Sequence, residues 1–411
     1  MRTVIQGPLV GTTGGAIAEA ALRACVHCGM CNATCPTYQL TGDELEGPRG
    51  RIYLMKQALE GTKPTRLTLD HLDSCLLCRA CEATCPSGVI YHELYDVGHA
   101  AVVEAVGRSP VQRLIRQLIV FVTTTPKLFK GLVGLGRLVR FGLPAVLGSK
   151  LPPRVAVGAR PDIDHNRHML LLTGCVQSAV AEHFNAATAR VFDRLSISLT
   201  EPPSSGCCGA VHHHLDAPEK AKTLARINLD AWGAALDTGA EALVVNSSGC
   251  AAFIRDYPTL LRDDPNYADL AKTVAGLVRD PIEVLEREDL IAVRAPASPH
   301  IAVHEPCTLQ HGLKLTGRIG SLLERLGYEP QPVADSHLCC GSAGAYSLLN
   351  PKMSGQLKTA KLAALNHSNP DTIFTANIGC WMHLANGSET PVRHWIEAVE
   401  EVLSISPSTI R

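Results

Sequence analysis

Eight of the sixteen cysteines fall in two strings of one spacing, "CVHCGMCNATCP" at residues 25–36 and "CLLCRACEATCP" at residues 75–86. Both read CxxCxxCxxxCP, and Cys25, Cys28, Cys31 and Cys35 stand fifty residues before Cys75, Cys78, Cys81 and Cys85. Three cysteines two residues apart wrap a short loop around three corners of a tetrahedral centre, and the fourth thiolate comes from elsewhere. In two-cluster ferredoxins, which bind [4Fe–4S] cubanes, the fourth cysteine of each run serves the other cluster. That rule assigns Cys25, Cys28, Cys31 and Cys85 to one cluster and Cys75, Cys78, Cys81 and Cys35 to a second. Zinc ribbons use two CxxC pairs rather than two runs of four, and unrelated CxxC turns would not repeat in register. Pro36 and Pro86 follow the fourth cysteines and suit the first position of a helix, where a missing N–H costs nothing.

Sixteen cysteines would read as a disulfide scaffold in a short secreted chain. At 411 residues this chain can bury a core without staples. Its start, "MRTVIQGPLVGTTGGAIAEAALRAC", breaks any apolar run with Gln6, Pro8 and four glycines, unlike an export signal. Reduced thiols in the cytoplasm, binding metal or reacting, are therefore expected. A net charge of −1 gives no argument for nucleic acid. No stretch reaches the ~18 apolar residues of a membrane span; the greasiest, "LIRQLIVFVTTTPK", is interrupted by Arg116, Gln117 and Pro126.

Between the runs, "GPRGRIYLMKQALEG" places Ile52, Met55 and Leu59 at helical spacing with Gly61 as a stop. This insert predicts a helical two-cluster ferredoxin domain over residues 16–105, after a flexible N-terminus at 1–15. His27 and Arg79 fall inside the cluster loops. Either they raise a cluster's potential through positive charge or N–H donation, or they are solvated loop residues.

The other eight cysteines form an internal repeat. Cys307, Cys339, Cys340 and Cys380 follow Cys175, Cys207, Cys208 and Cys250 at offsets of 132, 132, 132 and 130. Each copy reads C…CCG…GC, over residues 162–285 and 298–405. "HMLLLTGC" and "HIAVHEPC" open the copies as strands, and "EALVVNSSGC" and "DTIFTANIGC" close them, with helical stretches such as "PEKAKTLARINLDAWGAAL" between. Strands alternating with helices imply a parallel sheet, with ligands beyond the carboxyl ends of its strands. One cysteine, a Cys-Cys pair and another cysteine then meet at one rim, as a metal or cluster site or a redox dithiol. Single buried structural cysteines are common, but eight in register are not. His304, three residues before Cys307, is a further candidate. His212, His213 and His214 read first as a solvated loop.

The fold class is thus α+β and multidomain: a helical two-[4Fe–4S] domain, then two tandem α/β cysteine-rich repeats with parallel sheets. Together with "GDELEGPRGRIYLMKQALEG", "SHLCCGSAGAYSL" and "TANIGC", these motifs resemble the iron–sulfur subunits of bacterial glycolate oxidase (glycolate dehydrogenase) over nearly the whole chain from residue 20. Related subunits occur in lactate-utilisation systems, anaerobic glycerol-3-phosphate dehydrogenase and heterodisulfide reductase. The resemblance implies FAD-binding partner subunits that oxidise glycolate to glyoxylate, and a membrane quinone or equivalent as final acceptor. It implies a relay that is not catalytic toward glycolate alone, peripheral on the inner face of the cytoplasmic membrane. The sequence agrees in lacking a P-loop and a G-x-G-x-x-G after a strand, so no flavin or nicotinamide is expected on this chain. Heterodisulfide reductase relatives carry five cysteines per repeat, ending in CxxC. Here Ser247 and Asn377 replace the first cysteine of that closing pair, so the five-thiolate cluster does not carry over. One cubane per repeat, zinc, or an empty site with redox-active thiols are the alternatives. Direct chemistry at these sites, and a cluster-bearing structural or sensor protein, are the competing functions.

Residues 106–161 form the linker. From Ala105 to Pro161 there is no Asp or Glu, yet Arg108, Arg113, Arg116, Lys127, Lys130, Arg137, Arg140, Lys150, Arg154 and Arg160 occur. Apolar residues recur between them at helical spacing (Leu114, Leu118, Phe121, Val122; Leu128, Leu132, Leu135, Val139), with Pro110, Pro126 and Pro144 as breaks. Short basic amphipathic helices of this kind lie on anionic membrane surfaces. Packing on the flavin subunits or on the repeats are the alternatives for 108–154.

Overall fold

Thr12 opens the first helix: its hydroxyl accepts the Gly15 N–H at 3.1 Å, and α1 (Thr13–Ala24) turns Ala18, Ala21 and Leu22 into a core. The structure, a computed structural model, describes residues 1–138, 155–288, 290, 295 and 298–405. These divide into two compact units, Met1–Arg116 with Gln310–Gly312 and His337–Lys361, and Gln117–Leu309 with Leu313–Ser336 and Leu362–Arg411. The units do not follow the repeat boundaries: Cys339 and Cys340 belong to the first, Cys307 and Cys380 to the second.

The first unit is helical. Pro36 opens α2 (Pro36–Thr41) as expected, but Pro86 opens a turn, closed by the Gly88 N–H on the Cys85 carbonyl at 3.2 Å. The inter-motif insert is α3 (Pro48–Leu59), with Ile52, Met55 and Leu59 buried. Then follow α4 (Arg66–Asp73), started by a Thr65–Thr68 capping box, α5 (Ala80–Thr84) and α6 (Tyr91–Val106), whose Leu94, Tyr95 and Val102 close the core. The first fifteen residues, expected to be a flexible arm, lie against this unit. The terminal ammonium donates to the Leu22 and Cys25 carbonyls at 2.9 and 2.6 Å, and the Gln6 N–H to Leu59 at 2.9 Å.

The basic segment becomes α7 (Pro110–Thr124) and α8 (Pro126–Leu138), bent by 94° at the break between them. No single described helix is long and apolar enough to cross a membrane. Leu114, Leu118 and Phe121 are 65%, 58% and 60% exposed, so the apolar stripe that the periodicity indicates faces outward at these positions. Four of the described basic residues are otherwise engaged: Lys130 pairs with Glu182 and Arg160 with Glu201. Arg108 and Arg116 pair with Asp73, and against the cost of burial His99 and Arg108 hold that carboxyl below its ordinary range. Val139, Arg140, Pro144, Lys150 and Arg154 lie outside the described residues.

The second unit holds two four-stranded parallel sheets of one topology. β1 (Arg167–Leu171), β2 (Ile197–Thr200), β3 (Leu243–Val244) and β4 (Val278–Arg279) are ordered 2-1-3-4. β5 (His300–His304), β6 (Glu329–Gln331), β7 (Thr372–Thr375) and β8 (Val392–His394) are ordered 6-5-7-8. The strands of "HMLLLTGC", "EALVVNSSGC", "HIAVHEPC" and "DTIFTANIGC" end at Leu171, Val244, His304 and Thr375, and each cysteine follows in the turn or helix beyond. One continuous apolar core, including fully buried Trp232, Phe192, Phe374 and Trp395, serves both sheets.

α3 fits closely against the turn Glu44–Glu46. A Cβ on Gly50 would stand 2.1 Å from the Glu44 carbonyl oxygen and 2.9 Å from Leu45 Cα, both backbone atoms. Gly50→Ala is therefore expected to destabilise the unit by about 1–3 kcal/mol, the range for overpacking. The melting midpoint of the full chain checks this; an unchanged midpoint would mean that the turn yields freely.

Candidate metal centres

Each cysteine motif begins as a loop with left-handed residues at matching places: His27 (φ 60°) and Gly29 (φ 85°) in the first, Leu77 (φ 51°) and Arg79 (φ 61°) in the second. Glycine adopts this conformation freely; an arginine there is held against a steric cost. The conformation turns backbone N–H groups inward, so that His27 donates to the Cys25 sulfur and Leu77 to the Cys75 sulfur. The importance of positions 27 and 79 is thus first in the backbone. The His27 ring stacks on Tyr53 with centroids 6.1 Å apart and meets the Arg49 carbonyl at 3.3 Å.

Four sulfurs line each of two cavities, drawn crosswise from the two motifs. One cavity is lined by Cys25, Cys28, Cys31 and Cys85, with Cys81 also at its wall; the other by Cys35, Cys75, Cys78 and Cys81. Burial, with the charges of Cys25, Cys85 and Cys28 added, pushes the Cys31 thiol up to about 11. Burial likewise raises Cys81, with Cys78, Cys75 and Cys35 adding. Thiols so crowded resist ionising unless a cation takes their charge. Two all-sulfur sets of four are the donor chemistry of cubane iron–sulfur clusters, and the residues present fit them.

The two cavities differ in surroundings. Cys28 of the first, outer cavity is exposed, whereas in the second, inner cavity Cys35 and Cys81 are buried and Cys75 and Cys78 half-buried. There the Tyr91 hydroxyl donates to Cys75 Sγ at 3.7 Å, and Thr37 Oγ1 stands 3.2 Å from Cys35 Sγ. Segment 337–361 adds Tyr346, whose hydroxyl donates to the Ser74 carbonyl at 3.2 Å, beside Cys75.

In the first repeat the four cysteines also meet. Cys207 is bonded to Cys175, Cys208 and His212, and Cys208 to Cys250. Hydrogen bonds from Cys175 and Cys208 hold Cys207 far below the ordinary thiol range, while its two donors are raised. Four cysteine sulfurs converging in this way are a set that can take a soft cation. The third residue of CCG has a geometric reason. Gly209 (φ +91°) and Gly341 (φ +87°) are left-handed, and their N–H groups donate to the Cys207 and Cys339 sulfurs at 3.4 and 3.5 Å. A Cβ on Gly341 would also stand 2.7 Å from the Ser354 carbonyl oxygen.

His212 departs from the solvated-loop reading: it is buried in the short helix Ala210–His214, against Cys207. Its signal was the five-residue step from Cys207, which places it one helical turn past the CCG bend. His304 is buried, with Nδ1 2.9 Å from Thr375 Oγ1 on the adjacent strand. The two substituted positions find each other. Ser247 Oγ donates to Asn377 Oδ1 at 2.8 Å, and Asn377 Nδ2 donates to Cys380 Sγ at 3.5 Å. At these two positions this chain has a polar pair joining its repeats.

Comparison with known proteins agrees with this architecture. Residues 21–89 match the model of the 4Fe-4S dicluster domain, and residues 169–255 and 301–385 match that of the Cysteine-rich domain. The glycolate oxidase iron-sulfur subunit of Escherichia coli (strain K12) is 49% identical over 387 residues, 94% of this chain and 95% of that protein. The probable glycolate oxidase iron-sulfur subunit of Bacillus subtilis (strain 168) is 29% identical, covering 90% of both chains. Lactate utilization protein A of Exiguobacterium is 26% identical over 57% of this chain. With two sulfur-lined cavities, a duplicated CCG unit and near full-length identity of this degree, the chain belongs to the family of glycolate oxidase iron–sulfur subunits.

Proposed function

We propose that this chain relays electrons within a glycolate-oxidising complex, with [4Fe–4S] clusters at Cys25, Cys28, Cys31 and Cys85 and at Cys75, Cys78, Cys81 and Cys35. The crosswise partition of these cysteines over two cavities is the observation that carries the reading. A bound cluster supplies one-electron storage without proton or hydride chemistry. The chain's own work is to hold eight sulfurs, direct N–H groups at them and keep water from the inner cavity. FAD-binding partner subunits would oxidise glycolate to glyoxylate, and a membrane quinone-type acceptor would take the electrons. No residue of this chain is assigned to catalysis on glycolate.

The first repeat holds a metal ion or small cluster on Cys175, Cys207, Cys208 and Cys250, and the corresponding cysteines of the second repeat are its duplicated counterpart. A second reading, in which the CCG site itself acts on substrate, is favoured by the placement of Cys207 in hydrogen bonds with Cys175, Cys208 and His212. Dye reduction by glycolate separates the two: this chain purified alone should be inactive, and activity should require the flavin subunits. Glycolate-dependent turnover by the isolated chain would favour the second reading.

The exposed apolar stripe of α7, flanked by Arg113 and Lys127, supports docking on the inner, cytoplasmic face of the membrane.

Two further outcomes are expected. Anaerobically purified protein should hold about eight irons in its N-terminal domain; Cys85→Ser should alter the same cluster as Cys31→Ser, and Cys35→Ser the same one as Cys81→Ser. Zinc in place of iron, or Cys85→Ser tracking with Cys81→Ser, would refute the assignment. For the membrane, the complex should float with anionic liposomes and lose that binding when Arg113 and Lys127 become glutamate. If flotation persists while the flavin subunits fall away, α7 is a partner interface.

A further inference from the structure

The helix between the two motifs carries an arginine that its packing does not require. Arg51, in α3, is 1% exposed. Burying a guanidinium costs several kcal/mol unless its N–H groups are met, and an apolar side chain of similar volume commonly fills such a place as well or better. Here four donations meet it. Nε donates to the His71 carbonyl at 2.8 Å and one Nη to Thr37 Oγ1 at 3.1 Å. The other Nη donates to Glu46 Oε2 at 2.8 Å and to Ser74 Oγ at 2.7 Å.

The two hydroxyls give the arrangement its meaning. Thr37 follows Cys35 by two residues and stands 3.2 Å from its sulfur; Ser74 immediately precedes Cys75. Cys35 closes the first motif and Cys75 opens the second, and both line the inner cavity, as does Arg51. The fork therefore grips the chain at both places where two separate motifs must bring sulfur to one centre. A planar, rigid donor set suits this better than a flexible ammonium. The outer cavity lacks this provision: Arg49, over Gly29, pairs with Glu44 at 2.5 Å and is 35% exposed, where water screens it.

We propose that Arg51 is the positioning residue of the inner cluster site, clamping Cys35 to the Cys75 loop and fixing a positive charge that raises the potential of the cluster held there. The inference rests on the two-cluster reading. Reduction adds negative charge to the cluster, and a buried cation at short range favours that state. Glu46 offsets part of this charge and belongs to the same network: its carboxylate accepts from the Ser74 hydroxyl and stands 2.7 Å from His71 Nδ1, and its carbonyl accepts from Thr37 Oγ1 at 2.6 Å.

The test is a redox titration of the anaerobic full-length protein, followed by electron paramagnetic resonance with iron analysis. Wild-type protein without two reducible iron–sulfur centres would defeat the two-cluster reading before any variant is made. Given two centres, Arg51→Gln is expected to lower the potential of one of them, or to halve the iron from about eight to about four per domain, while the other centre keeps its spectrum and potential. Arg51→Lys keeps the charge without the fork and should lie between. Thr37→Val, which removes only the hydroxyl facing Cys35, should lower the same potential by less, and it decides the matter if Arg51→Gln fails to fold. The exposed Arg66→Gln is the control and should move neither centre. Unchanged potentials with full iron in Arg51→Gln, or in Thr37→Val where Arg51→Gln does not fold, would overturn the proposal. So would an equal shift of both centres.

Discussion

Sulfur brought together from two distant motifs is the constraint on which the N-terminal unit depends. Neither CxxCxxCxxxC run can complete a four-thiol site from its own residues if its fourth cysteine is turned toward the other loop. Each cavity is therefore closed only when the whole unit has folded, with α3 and α4 packed between the loops. The crowded thiols oppose their own ionisation: burial raises Cys25, Cys31, Cys75 and Cys81. A bound cation reverses that balance, so cluster assembly and folding are coupled in this unit as in other metal domains.

The second architectural theme is duplication. Two sheets with the same strand order share one core, and each CCG bend uses a left-handed glycine to aim an N–H at the first cysteine of its pair. Duplication also explains why Ser247 and Asn377 meet. They occupy equivalent positions after β3 and β7, and where a repeat associates with its copy, equivalent positions can be neighbours. A hydroxyl and an amide there supply a hydrogen-bonded joint, one end of which reaches Cys380.

Much of this was legible in the sequence because cysteine spacing, repeat offset and hydrophobic period are local or arithmetic signals. The crosswise sets, the α3 insert, the strands that precede the cysteines of each repeat and the amphipathic period of α7 were read in that way. What escaped depends on tertiary pairing. Nothing in "GPRGR" distinguishes a buried Arg51 from an exposed Arg49 until the hydroxyls of Thr37 and Ser74 are in place. Arg108 and Arg116 count as free positive charge in a sequence tally, but Asp73, thirty-five residues or more away, claims both. His212 follows the CCG bend closely enough to be carried back against Cys207, which composition alone reads as a polar loop. Pro86 matches Pro36 in sequence but opens a turn, because Gly88 (φ +64°) closes the chain back on Cys85 before α6 begins.

The relay role is tested most directly by adding glycolate anaerobically to the assembled complex, without an acceptor, and following the reduced-cluster signals by electron paramagnetic resonance. Signals from clusters on this chain should appear with glycolate when the flavin subunits are present, and should not appear with this chain alone. Clusters that stay oxidised in the complex while an added quinone is reduced by glycolate would contradict a relay through this chain.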